Sequence, residues 1–349
     1  MKRVNDLYKY ICDEDNIRLA HKNARKGKLH YKEVIKVDAN EDYYISLIKN
    51  MLEEKTFVCG TYKSFIKSDS GKERVIHKLP YFPDRIIQHA ILQVLEPIWK
   101  KSLIEDTYQA IRGRGVHACL KKVKHVVQSE DYKDVSLYCL QMDVKKFYPS
   151  IDNEILKVVI RKKIKCKDTL SLLDKIIDGS CGVPIGNYIS QYFGNLYLNE
   201  LDHYIKEVLR AKNYYRYCDD LIVLSEDKEF LKEVLEYTKQ YLTSIKLEIK
   251  EDFQIYKITN KRGVGCLGYI VYKDRVKLRR NIAVGFEDSI NSMLKSGKVN
   301  LKSLGSYYGW IKHTKSIGLW VKNINKLLPI ATGADKRRIF SLTTKLKNQ

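Results

Sequence analysis

The sequence predicts an α+β fold in which strands ending on acidic tips alternate with amphipathic helices, followed by a basic helical tail. Three observations support this. First, Leu137-Tyr138-Cys139-Leu140-Gln141-Met142 runs straight into Asp143, and Tyr214-Tyr215-Arg216-Tyr217 turns at Cys218-Asp219-Asp220 and returns as Leu221-Ile222-Val223-Leu224, the pattern of a β-hairpin with carboxylates at its tip. Second, segments with helical spacing of apolar residues lie between the strand-like runs, as at Ile86, Ile87, Ala90, Ile91, Val94 and Leu95. Third, residues 286–349 keep a helical pattern but are dense in Lys and Arg.

Taken in order, residues 1–56 read as polar helices with a basic stretch at 22–28. Residues 57–79 read as a hairpin. Phe57-Val58 and Tyr62-Lys63-Ser64-Phe65-Ile66 lead in, Lys67-Ser68-Asp69-Ser70-Gly71-Lys72 turns, and Arg74-Val75-Ile76 returns. Pro83 opens the long amphipathic helix, and Gly113-Arg114-Gly115 breaks the chain before a helix at 116–128. After the strand into Asp143, a helix begins near Asn153 with Asp152 as its N-cap. Gly182-Val183-Pro184-Ile185-Gly186 turns into a helix over 188–210. The acidic hairpin follows, then a helix over 227–244 and short strands through 247–280. This reading divides the chain at 1–136, 137–285 and 286–349.

Composition narrows the function classes. Lys and Arg total 64 against 42 Asp and Glu, a net charge of +22 that favours a polyanionic partner. No apolar run approaches the ~20 residues of a bilayer span, and the N-terminus lacks an apolar signal core, so no membrane partner is expected. Cysteines at 12, 59, 119, 139, 166, 181, 218 and 266 form no Cys-x-x-Cys pair. Such a set fits a reducing, cytoplasmic setting and not a zinc knuckle or disulfide framework.

The two acidic tips point to metal chemistry. Carboxylates on a tight turn between buried strands are costly unless a cation sits with them. Asp143, Asp219 and Asp220 on neighbouring strand ends suit a pair of Mg²⁺ ions, which take hard oxygen ligands. Such a pair drives phosphoryl transfer by activating a hydroxyl and neutralising the leaving group.

Four blocks together resemble the reverse transcriptases. Tyr217-Cys218-Asp219-Asp220 is similar to their Tyr-x-Asp-Asp box, and Asp143-Val144-Lys145-Lys146-Phe147-Tyr148-Pro149-Ser150-Ile151 to their first catalytic block. Gly182 through Gln191 is similar to the block between these two, and Cys266-Leu267-Gly268-Tyr269 to the primer-grip turn. The resemblance covers about 57–280. It implies a right-hand polymerase fold with fingers in 1–136, a palm in 137–285 (with 137–185 partly fingers) and a helical thumb in 286–349. It implies an RNA-directed DNA polymerase acting on an RNA template, a DNA or RNA primer and deoxynucleotides, with two Mg²⁺ ions that Mn²⁺ can replace.

Residue by residue, the resemblance makes Asp143, Asp219 and Asp220 the catalytic, metal-binding trio, with the Val144 carbonyl as a backbone ligand. Tyr148 is the aromatic that excludes a 2′-hydroxyl. Lys67 and Arg74 hold the nucleotide triphosphate, with Lys72 as the alternative holder and the backbone at Lys146 and Phe147 nearby. Ile185, Gly186 and Gln191 complete the nucleotide site. Leu267 and Gly268 approach the primer end, and Arg114, Lys277, Arg279 and Arg280 contact primer or template. Trp310 and Trp320 read as helix core.

Ile185-Gly186-Asn187-Tyr188-Ile189-Ser190-Gln191 departs from the common Gln-Gly-x-x-x-Ser-Pro and resembles diversity-generating retroelement enzymes, whose copying is error-prone at template adenines. Similar blocks occur in antiphage-defence reverse transcriptases, which make cDNA from a noncoding RNA. Cys218 replaces a more usual small or apolar residue. The sequence shows no RNase H block and no His-Asn-His endonuclease tail. A structured noncoding RNA and a small basic accessory protein are therefore expected partners. The reading from another class is an RNA-binding scaffold, which the net charge fits equally well and the acidic trio disfavours.

Overall fold

In the computed structural model, which describes residues 3–69 and 72–348, nine strands form three sheets between helices. Strands β1 (Lys63–Asp69) and β2 (Lys72–Lys78) form a two-stranded ribbon. Strands β3 (Tyr138–Asp143), β4 (Asn213–Tyr217), β5 (Asp220–Ser225) and β6 (Gln254–Lys257) form a sheet of order β4–β5–β3–β6. Strands β7 (Val264–Cys266), β8 (Tyr269–Val271) and β9 (Val276–Leu278) make an antiparallel three-stranded sheet. The α+β class expected from the sequence is what the chain adopts.

The chain forms two compact units. One comprises Met1–Arg112, Gln141–Val223 and Glu229–Gln254, and the other Gly113–Leu140, Leu224–Lys228 and Ile255–Gln349. In the first, Tyr214 and Tyr215 of β4 and Leu221, Ile222 and Val223 of β5 are all buried. Consecutive buried residues mean that both faces of these strands are covered, which explains the unbroken apolar reading. In the second, Trp320 is fully buried and stacks on Phe286 with ring centroids 5.7 Å apart, so its reading as core holds. No helix among the described residues is long and apolar enough to cross a membrane.

Two elements differ from expectation, the first hairpin and the helix over 188–210. The hairpin strands continue to Asp69 and from Lys72, so Lys67–Asp69 are strand and not turn. Ladder pairing uses the main chain, so polar residues extend a strand as readily as apolar ones when neither face is covered. The turn residues Ser70 and Gly71 lie outside the described residues, as do the side chains of Ser68, Asp69, Lys72 and Arg74. The long helix is entered at Pro83 as expected: a wide turn at Tyr81–Arg85 kinks at Phe82, and Arg85 is already helical where Ile86–Lys100 follows. Phe82 is extended (φ −106°, ψ 133°), because a proline ring excludes α conformation from the residue before it. The single helix expected over 188–210 divides into Ser190–Tyr197, Asn199–His203 and a wider turn at Tyr204–Val208. Low-propensity Asn195 and Asn199 flank the break at Leu198, and Asn195 Nδ2 donates outside its helix to the Gln109 carbonyl (2.9 Å). The helix Asn153–Arg161 begins as expected, with the Asp152 side chain accepting from the Ile155 N–H (3.0 Å).

Candidate active site

The end of β3 and the tip of the β4–β5 hairpin meet. The Val144 N–H donates to the Asp219 carbonyl (3.2 Å), so the residue after Asp143 is tied to the residue at the hairpin tip. On the other side the Lys250 N–H donates to the Asp143 carbonyl (2.8 Å), and Val144 bridges antiparallel to Ile249. Asp143 and Asp219, 76 residues apart in sequence, are thus brought together by main-chain pairing. Asp220 is the first residue of β5 and is exposed.

A two-residue turn, Cys218-Asp219, carries the tip, and Cys218 holds a left-handed φ of +59°. Lys146, three residues after Asp143, is left-handed too, at φ +45°. Each non-glycine residue in that region costs about 1–2 kcal/mol, so the surrounding structure must enforce both. At Cys218 the enforcing group is Arg216. Its Nη1 donates to the Cys218 carbonyl (3.1 Å) and to Asn195 Oδ1 (3.3 Å). Its Nε and Nη2 lie 2.7 and 2.6 Å from the two oxygens of Asp202, and both residues are fully buried. The sequence signals half of this arrangement. A buried cation inside an apolar strand needs a carboxylate. Nothing in the sequence pattern identifies Asp202 as that partner.

Asp143 is half-buried, and its Oδ1 is buried without a hydrogen-bond partner. Its Oδ2 is paired with Lys250, a residue the sequence reading did not single out. Burial raises the Asp143 pKa, Lys250 partly offsets that, and the nearby Asp219 charge raises it further. Burial opposes protonation of Lys250, but the Asp143 carboxylate and the charges of Asp219 and Asp252 outweigh it and raise its pKa. Among the described residues no group of three or more His, Cys, Asp or Glu side chains is placed to hold a metal ion. The half-buried Asp143 carboxylate thus has one oxygen without a partner, the Asp219 charge lies near it, and the Lys250 ammonium pairs with the other oxygen.

Tyr148 packs below the turn. Its hydroxyl accepts from Cys218 Sγ (3.3 Å) and donates to Gln109 Oε1 (3.4 Å), linking the two acidic segments. Gly194 allows this, since a Cβ there would lie 3.0–3.1 Å from the Phe147 and Tyr148 rings. Phe147 itself is buried and Lys146 exposed.

The Ile185-Gly186 turn is docked on β2. The His77 N–H donates to the Ile185 carbonyl (2.8 Å), and a Cβ on Gly186 (φ +120°) would lie 2.6 Å from the His77 carbonyl oxygen. Gln191 is exposed on the first turn of its helix. Lys67 is exposed and pairs across the ribbon with the backbone of Arg74, whose side chain lies outside the described residues.

The remaining candidates belong to the second unit. Leu267 (φ +47°) and Gly268 (φ +94°) form the β7–β8 turn, the double left-handed geometry of tight hairpins. A Cβ on Gly268 would lie 2.5 Å from Ile282 Cδ1 and 2.8 Å from Trp310 Cζ3, so packing within the unit already accounts for the glycine. Trp310 is therefore part of the packing around this turn. Gly268→Ala is expected to lower the stability of this unit by about 2–4 kcal/mol, measured as a shift in its calorimetric transition. Lys277, Arg279 and Arg280 are exposed, and Arg114 lies in the turn before the Val116–Val127 helix.

Residues 65–271 match the family model described as reverse transcriptase (RNA-dependent DNA polymerase). The chain is 29% identical over 155 residues to protein YkfC of Escherichia coli strain K12, covering 41% of this chain and 40% of that protein. It is 24% identical over 220 residues to the group II intron-encoded protein LtrA of Lactococcus lactis, covering 58% and 35%. It is 28% identical over 200 residues to the retron Ec73 reverse transcriptase of Escherichia coli, covering 52% and 62%. The matched region is thus between 35% and 62% of the length of these relatives. Among solved structures, apo telomerase from Candida tropicalis aligns with a TM-score of 0.48 at 16% identity, covering 64% of this chain and 55% of that one.

Proposed function

The chain belongs to the reverse transcriptase family, and on that premise we propose that it is an RNA-directed DNA polymerase whose centre is the Asp143–Asp219 junction. The observation that carries this is the buried, unpartnered Oδ1 of Asp143 beside Asp219. Asp143, Asp219 and Asp220, with the Val144 carbonyl, would hold two Mg²⁺ ions, for which Mn²⁺ could substitute. Such ions would supply an activated primer 3′-hydroxyl and a neutralised pyrophosphate leaving group.

The chain's own residues do the positioning. Lys250 compensates the Asp143 charge in the resting protein. Tyr148, fixed by Gln109 and Cys218, forms the floor under the incoming sugar. Lys67 and Arg74 hold the nucleotide triphosphate, with the backbone at Lys146 and Phe147 as further contacts. Ile185, Gly186 and Gln191 form the edge under the template–nucleotide pair. Residues 1–136 supply most of the fingers, 137–285 the palm and 286–349 the thumb. Leu267, Gly268, Arg114, Lys277, Arg279 and Arg280 hold primer and template.

Ile185 in place of a glutamine favours the diversity-generating retroelement type. An aliphatic side chain donates no hydrogen bond to the template–nucleotide pair, so pairing geometry is enforced less strictly. A structured noncoding RNA and a small basic accessory protein are the partners of that reading.

The test is extension of a labelled primer on an RNA template by purified protein with deoxynucleotides and Mg²⁺. No extension under any divalent ion overturns the proposal. Tyr148→Val is expected to relax sugar choice. The ratio of deoxy- to ribonucleotide incorporation should fall at least about tenfold, because removing a ring removes a steric barrier and not a binding contact.

A further inference from the structure

In the second unit a cleft of about 890 Å³ lies between the Val116–Val127 helix and residues 311–317. His117, Lys121, Lys124 and Gln128 follow one another at helical spacing along the helix face that lines it. Lys312 and Lys315 face them from the other wall. Lys121, Lys124 and Lys312 make no salt bridge among the described residues, and the one acid in the cleft, Asp274, is paired with Arg275 (2.6 Å) and also feels the charge of Lys315.

Two histidines lie within this positive field. His117 and His313 have ring centroids 4.0 Å apart. Tyr269 donates to the Trp310 carbonyl (3.2 Å), which leaves its oxygen to accept from His117 Nε2 (3.1 Å). His313 Nε2 is buried with no partner. Burial, then His117, then Lys312 and Lys124 push the His313 pKa down to about 4.

The cleft is separate from the cations assigned to primer and template. Val276 of β9 is buried and lines it, whereas Lys277, the next residue, is exposed on the opposite face of the strand. We propose that this cleft binds the phosphate backbone of a single-stranded RNA segment, distinct from the duplex held at the aspartates. Lysines offer point charges suited to phosphates and read no base edges, so binding is general in sequence.

The test reads binding alone, in Asp219→Asn protein, so it does not depend on polymerisation. The probe is a fluorescein-labelled single-stranded RNA of mixed sequence without a complementary primer. Replacing Lys121, Lys124, Lys312 and Lys315 together by Gln is expected to weaken the probe at least about tenfold. It should also reduce the slope of log affinity against log salt by about 3, as four lost phosphate contacts require. Unchanged affinity and slope overturn the proposal. With the unsubstituted lysines, saturating blunt primer–template duplex should leave the probe bound; its complete displacement also overturns the proposal, because one surface would then serve both ligands.

Discussion

Primer extension by Asp219→Asn is expected to fall at least about a thousand-fold below wild type, equivalent to about 4 kcal/mol of barrier, while the protein stays folded. Asn keeps the shape of the side chain at the hairpin tip and removes only the charge that a divalent ion needs. The Val144 N–H still reaches the residue 219 carbonyl, which is main chain. Asp143→Asn should cost as much activity, and its effect on stability has a predictable sign. Burial is the largest influence on Asp143 and raises its pKa, and Lys250 offsets this only in part. The folded chain therefore takes up that proton more readily than the unfolded chain, whose carboxyl titrates near about 3.9. Stability from this group is gained as pH falls through the raised value and is lost as pH rises through it. At neutral pH without divalent ions, Asp143→Asn should melt at the same temperature as wild type or higher. Wild-type extension by either variant removes the catalytic assignment. Intact folding with lost activity separates catalysis from structure.

Much of this centre was legible because its strongest signals are local. Asp143 and the Asp219-Asp220 pair each follow a run that can only be a strand, and an acid at the end of such a run stands out. The Asn153 helix was legible from its Asp152 cap. What remained hidden depends on pairings that local pattern does not encode. Lys250 lies among alternating charges in Glu248-Ile249-Lys250-Glu251-Asp252, where nothing marks one lysine out. It reaches Asp143 only because residue 249 bridges to Val144. The break at Leu198 was hidden because periodicity reports a face and not the continuity of the backbone. Gly268 was read for primer access, yet its neighbours are Ile282 and Trp310, contacts across a fold that no spacing in the sequence reveals.

Asp202→Asn is expected to destabilise the first unit by about 3–5 kcal/mol, measured as a fall in its urea midpoint, because it leaves the fully buried Arg216 without a counter-charge. The loss should be deep because Asp202 also accepts from Tyr214 (2.6 Å) and Thr107 (3.2 Å), so an amide turned to suit one partner offends another. Stability and function should then separate in the double variant Asp202→Leu with Arg216→Met. Replacing a buried pair by apolar side chains of similar volume recovers much of the stability that breaking it loses. It does not restore the donor to the Cys218 carbonyl, and that donor holds the left-handed turn carrying Asp219. The double variant should therefore regain part of the stability that Asp202→Asn loses, short of wild type because the Tyr214 and Thr107 hydroxyls lose their acceptor, yet extend primers at least about tenfold more slowly, in kcat more than in KM for the nucleotide. Arg216→Lys should not rescue it, since one ammonium cannot replace a planar fork that reaches Asp202, Asn195 and the turn together. Full recovery of rate in the double variant would mean that the turn holds its shape without Arg216, and the ion pair would then serve stability only.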